Sequence, residues 1–239
     1  MAFEFKSRIR YSEVGEDKKL TLPGLINYFQ DSSTFQSEGL GAGLNVMIER
    51  KKAWILAYWQ IMVNRLPEMG EYVEIQTWPT GFKGFFGDRS FQMLSENGEI
   101  LAYANSIWIY LDVESGHPCR VEQEIAVLYD AVTKEAIEME MGSRKIRFPE
   151  ESQEQEPFQI VKSHLDTNHH VNNSQYISMA MEYLPEGFEV GQVRVEYRTQ
   201  AVLHDEIVPY VYVEEELCTV GLCNRERKPY AVLEFKKKK

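Results

Sequence analysis

The sequence predicts an α+β protein built as a tandem repeat, with two long helices each wrapped by a curved antiparallel sheet. Three observations predict it. Two stretches carry apolar residues at helical spacing, one around Ile26 and one around Ile177. Each is followed by several strand-like segments, alternating or rich in β-branched and aromatic residues. The two stretches also overlay. An offset of 151 places Ser12 on Ser163, Leu20 on Val171 and Ile26 on Ile177, and an offset of 134 places Val63 on Tyr197, Glu71 on Asp205 and Val73 on Ile207.

Taken in order, residues 3–13 alternate like a strand. Leu22, Leu25, Ile26 and Phe29 then form one stripe at i, i+3, i+4, i+7, with Pro23 tolerable in the first turn and Gly39 and Gly41 marking the end. Residues 53–66, 72–78, 85–94 and 100–112 read as strands, with Asn97-Gly98 as a hairpin turn. Residues 136–157 are polar and acidic and carry two prolines, which predicts a linker. The plan then repeats. A strand start at 158–163 leads to a helix whose stripe is Tyr176, Ile177, Ala180, Met181 and Leu184, stopped by Pro185 and Gly187. Strands at 192–199, 206–217, 218–224 and 229–235 follow. The expected organisation is an N-terminal unit 1–135, the linker 136–157 and a C-terminal unit 158–239.

Composition bounds the function. The 239 residues, 44% hydrophobic and 26% charged, suit a globular protein, and no apolar run approaches a membrane span. A formal net charge of −11 argues against non-specific nucleic-acid binding, which relies on Lys and Arg to neutralise phosphates. Local basic patches at 49–52, at Arg225, Arg227 and Lys228, and in the tail 236–239 are candidates for docking an acidic partner. The bland reading is solvated surface and, for the tail, a frayed end. Cys119, Cys218 and Cys223 are an odd set without a CxxC, which predicts reduced thiols. The first residues show neither a secretory nor a transit signal, so a cytoplasmic location is expected.

The densest polar cluster is "SHLDTNHHVNN" at 163–173, at the entrance to the second helix. A helix N-terminus offers unpaired N–H groups that can be capped by Asn172 or Asn173, or can polarise a carbonyl. Asn168 can add an amide N–H, His170 can act as a base or hold a water, and Asp166 can orient either one. The overlay places Gly15, Asp17 and Lys19 where the second copy has Asp166, Asn168 and His170, so the shared fold does not require the cluster. With no GxSxG elbow and no cysteine nearby, the chemistry suggested is direct attack of water on an acyl group. Spacing alone leaves a capped polar turn equally open. A metal site from His164, His169, His170 and Asp166 matches no standard zinc pattern, and no cofactor is expected.

"LDTNHHVNNSQYI" at 165–177 resembles the L-D-x-N-x-H-V-N-N-x-x-Y-I signature of the acyl-acyl-carrier-protein thioesterases. "VEYRTQA" at 195–201, the first strand and helix, and "NRLPEMGEYVEIQTW" at 64–78 resemble other segments of that family in the same order. The resemblance implies a double hotdog fold and hydrolysis of fatty acyl thioesters of acyl carrier protein, in fatty acid biosynthesis. The acyl chain would lie in the N-terminal unit. Asp166, Asn168 and His170 fall on the family's catalytic Asp, Asn and His. Many members have Glu-Cys where this chain has Gln200 and Ala201. Ala201 excludes a cysteine nucleophile there, and Gln200 cannot take a proton but can hold a water through its amide oxygen. The resulting expectation is that Gln200 positions the water while His170 or Asp166 accepts the proton; the alternative is an ordinary strand residue. An acyl-CoA hydrolase and a non-catalytic acyl-binding protein are the competing readings, and a homodimer is left open.

Overall fold

A computed structural model describes residues 2–130 and 132–238. The chain divides into two units, one comprising 1–57 with 63–140 and the other 58–62 with 141–239. Strand β2 (Lys52–Val63) contributes residues to both.

In the first unit, β1 (Phe3–Arg8) pairs with β3 (Tyr72–Lys83), β3 with β4 (Phe86–Ser95) and β4 with β5 (Ile100–Asp112), all antiparallel. The short β6 (His117–Pro118) folds back on β5. The register lines up Phe5, Ile75, Met93 and Ala102 across the sheet. Alternate residues of β3, Val73, Ile75 and Thr77, are buried, as the period-two pattern requires. Helix α1 (Leu22–Gly39) packs on β3 through the predicted stripe, and Phe29 meets Phe91 at 5.3 Å between ring centres. Thr21 caps it, accepting the Gly24 N–H at 3.1 Å. Two helices not expected from the sequence, α2 (Leu44–Glu49) and α3 (Gln123–Asp130), close a second apolar cluster around Met47, Tyr110, Ile125 and Tyr129.

In the second unit, β9 (Val190–Tyr197) lies between residues 58–62 of β2 and β12 (Pro229–Lys237). Strand β12 pairs with β11 (Leu217–Cys223), β11 with β10 (Glu206–Val213), and β10 with the short β7 (Gln153–Glu154) and β8 (Phe158–Gln159). Ile61, Val193, Phe235 and Cys218 stand in one row across this sheet. Helix α4 (Asn173–Met181) packs on β11 and β12; its nine residues are half the eighteen of α1. Lys236 and Lys237 are paired within the sheet rather than frayed, and Lys239 lies outside the described residues.

The stretch expected as a linker is mostly irregular, yet residues 142–154 are packed rather than free. Gly142 donates to Gln60 Oε1 at 2.9 Å, Arg194 donates to the Ser143 carbonyl, and Ile146 donates to Glu196 Oε2 at 2.9 Å. Phe148 packs against Gly221, where an added Cβ would meet its ring at 2.5 Å. Within this strap Ile146 and Pro149 are buried, and its charged residues are exposed. Its polar composition therefore reflects an exposed outer face, not a lack of packing.

Candidate active site

The entrance to α4 is a tight turn closed by its own backbone. Asp166 N–H donates to the His170 carbonyl at 2.8 Å and His169 N–H to the Asp166 carbonyl at 3.1 Å. His169 takes the left-handed conformation this requires, at φ 61°. The residues on either side pair as well. Leu165 bridges to Val171, and Asn172 N–H donates to the His164 carbonyl at 2.9 Å.

Asp166 braces this turn from inside. Its Oδ1 accepts the N–H of Asn168 at 2.8 Å and of His170 at 3.2 Å. The hydrogen bonds of Asp166 thus run to the backbone of both residues, not to the imidazole. The Asn168 side chain is exposed and makes no hydrogen bond to the described residues. His170 is half-buried, and its Nδ1 is sealed without a partner among them. Its other ring nitrogen, Nε2, is left as the one able to meet water or substrate.

The segment after β9 lies alongside. His170 bridges to Val202, and Val171 N–H donates to the Ala201 carbonyl at 3.0 Å. Ala201 N–H donates to Tyr176 Oη at 2.9 Å, fixing the same residue to α4. Burial pushes the Tyr176 phenol up to about 12, against the opposing pull of that N–H. Tyr176 meets Tyr197 edge-on at 5.7 Å, and Tyr197 Oη donates to the Asn173 carbonyl at 3.0 Å. Gln200 is exposed and sits past the end of β9, in the bend that these bonds clamp. It is therefore not a residue within a strand.

The other sequence candidates separate from this group. Asn172 caps α4, its Oδ1 accepting Ser174 N–H at 2.9 Å. His164 Nδ1 accepts Val161 N–H at 3.3 Å, and His169 is exposed. Among the described residues no three His, Cys, Asp or Glu side chains are disposed to hold a metal. None of the three cysteines lies in the turn, and burial pushes the Cys218 and Cys223 thiols up to about 11 and 12, away from thiolate chemistry. Sequence reasoning placed Tyr176 in the apolar stripe and missed its hydroxyl; a tyrosine on a buried stripe is itself the signal, because its O–H needs a partner. No helix among the described residues is long and apolar enough to cross a membrane.

Two helix-on-sheet units in tandem, with a polar turn at the head of one helix, define a double hotdog protein. The chain belongs to the acyl-ACP thioesterase family: the family's N-terminal domain matches residues 1–129 and its C-terminal domain residues 148–221. The chloroplastic palmitoyl-acyl carrier protein thioesterase of Gossypium hirsutum is 26% identical over 217 residues, covering 84% of this chain and 52% of that protein. The chain spans about half the length of the curated relatives it matches. The fold is that of an acyl-ACP thioesterase from Bacteroides thetaiotaomicron, with TM-score 0.90 at 20% identity over 99% of this chain and 98% of that one. It is also that of the 12:0-ACP thioesterase from Umbellularia californica, with TM-score 0.88 at 18% identity over 99% and 97%.

Proposed function

We propose that this protein hydrolyses the thioester of a fatty acyl group carried on acyl carrier protein, releasing free fatty acid and holo-carrier. The observation that carries this reading is the brace. Asp166 holds the turn through the backbone, which leaves the Asn168 amide and His170 Nε2 free at the head of a helix. The names and functions of the relatives supply the substrate class. In this reading, as the family resemblance implies, the N-terminal unit 1–135 receives the acyl chain and the unit 158–239 supplies the chemistry.

In this reading Gln200 holds a water through its amide oxygen and His170 takes its proton. The hydroxyl adds to the acyl carbon. Asn168 and the N-terminal end of α4 stabilise the oxyanion that forms. Collapse breaks the C–S bond, and the departing thiolate takes the proton back from His170. No covalent enzyme intermediate and no metal enter the sequence of steps. Three free cysteines suit a reducing compartment, in keeping with a cytoplasmic enzyme.

The test is hydrolysis of acyl-carrier substrates of graded chain length by the purified protein. Asn168→Ala and His170→Ala are expected to lower kcat by about 10²–10³-fold each with little change in KM. Equal rates in the wild type and both variants would remove the site, and a strong preference for acyl-CoA would replace the carrier.

A further inference from the structure

Five of the cations first offered as docking patches are matched by acids. Arg50 pairs with Glu122 and Glu124, Lys51 with Glu114, Lys52 with Asp112, Arg225 with Glu206 and Lys228 with Glu226. Arg227 is not matched, and it joins other cations on a different surface. A cavity of about 550 Å³ in the second unit is lined by Lys145, Arg147, Arg198 and Arg227, with no carboxylate in its wall. This concentration runs against a chain of net charge −11.

Two of the four side chains are held in place. Arg227 lies 4.8 Å over the Tyr210 ring and 5.4 Å from that of Phe148, and donates to the carbonyls of Pro149 and Glu150 at 3.2 and 2.8 Å. Rings and carbonyls orient a guanidinium without cancelling its charge. Arg198 is anchored by Glu196 at 2.9 Å. Lys145 and Arg147 stand exposed on the strap with no ion pair among the described residues. Lys145, Arg147 and Arg227, none of them ion-paired among the described residues, stand beside Arg198 and together attract an anion. Planar guanidinium groups favour phosphate in particular, through paired N–H donors.

Position narrows the anion. Arg198 precedes Gln200 by two residues, so their Cα atoms lie within about 7 Å of each other. We propose that this cavity seats the phosphate of the substrate's phosphopantetheine arm. The volume admits the phosphate together with the start of the arm. The extended arm is longer than the separation of Arg198 and Gln200, so a phosphate held here leaves the thioester free to reach the turn. The proposal rests on the carrier-thioester reading above.

The experiment has a binding arm and a kinetic arm. By calorimetry, phosphopantetheine is expected to bind the wild type at least about tenfold more tightly than pantetheine. The Lys145→Ala/Arg147→Ala variant, its fold checked by circular dichroism, is expected to lose that advantage. In kinetics, the acyl-phosphopantetheine of one fatty acid should exceed the matching acyl-pantetheine by about tenfold in kcat/KM, through KM. The ratio collapses to about one in the variant. Equal binding of the two probes by the wild type overturns the proposal. So does a variant that loses rate on acyl-carrier protein while keeping the preference for phosphopantetheine, because the cations would then meet the carrier's acidic surface. Preferential binding without any hydrolysis would leave the cavity assigned and defeat the hydrolase reading instead.

Discussion

The turns that lead into α1 and α4 share a backbone and part company in their side chains. Gly15 N–H donates to the Lys19 carbonyl at 2.9 Å, as Asp166 does to His170 at 2.8 Å. Lys18 and His169 take the same left-handed conformation, at φ 63° and 61°. Leu20 N–H donates to Pro67 as Val171 does to Ala201. The brace, however, moves. In the first turn Asp17 accepts the Lys19 N–H at 3.0 Å from the middle position. In the second, Asp166 braces from the first position, and the middle position becomes Asn168 with its side chain unengaged. Each turn needs one carboxylate for its own geometry. Where that carboxylate stands decides whether the middle side chain is tied into the turn or left unengaged.

The largest expected effect comes from exchanging one brace for the other. Asp166→Gly with Asn168→Asp rebuilds the first turn's arrangement inside the second. The fold should survive, with stability changed by no more than about 1 kcal/mol. Hydrolysis should fall by at least about 10³-fold, since the proposed oxyanion donor is gone and an anion stands in its place. Thermal melting and single-substrate kinetics on the same sample read both quantities. A folded double variant that keeps its activity would break the comparison, because the cluster would then be no more than a second way to close a turn.

The same comparison sets the expectation for Gln200. Its counterpart by the 134-residue offset is Leu66, which has no polar atom beyond the backbone. Gln200→Glu adds a base where the proposed mechanism places the water, and should keep or raise kcat. Gln200→Ala should lower kcat by about 10²-fold. If neither substitution moves kcat, Gln200 is as inert as Leu66 and the water is held by His170 alone.

How much of this was legible in the sequence differs by feature. The two helices and most strands were, because apolar periodicity and hairpin turns are local. The overlay of Leu20 on Val171 was legible too, and the matching backbone bonds of the two turns bear it out. Helices α2 and α3 were not, since six and eight residues give too few turns for a period to register. The packing of the 142–154 strap was hidden by its polar outer residues, although Ile146, Phe148 and Pro149 mark where it is anchored. Asp166 was picked out as an orienting group, but which atoms it holds depends on the fold of the turn. The basic cavity was the least legible. Its cations are spread from Lys145 to Arg227 and meet only in three dimensions.

The smallest expected effect concerns a difference one layer behind the turns. Tyr176 holds the Ala201 N–H in the second unit. By the same offsets the counterparts in the first unit are Leu25 and Pro67, one without a hydroxyl and the other without an N–H. Each unit thus satisfies its backbone in its own way, and only the second fixes the bend that carries Gln200. Tyr176→Phe orphans a buried N–H and should cost about 1–3 kcal/mol. Ala201→Pro removes that N–H, so adding it to Tyr176→Phe should cost less than the sum of the single changes in a double-mutant cycle. Alkaline stability gives an independent check. Above the ordinary tyrosine value near 10 the unfolded chain releases this proton, while folded Tyr176 keeps it until about 12. Tyr176 therefore steepens the loss of stability as pH rises from about 10 to about 12, and Tyr176→Phe should flatten that slope. Additive single costs together with an unchanged slope would show that the hydroxyl does not hold the bend, and the anchoring of Gln200 would have to be sought in the Val171–Ala201 pairing alone.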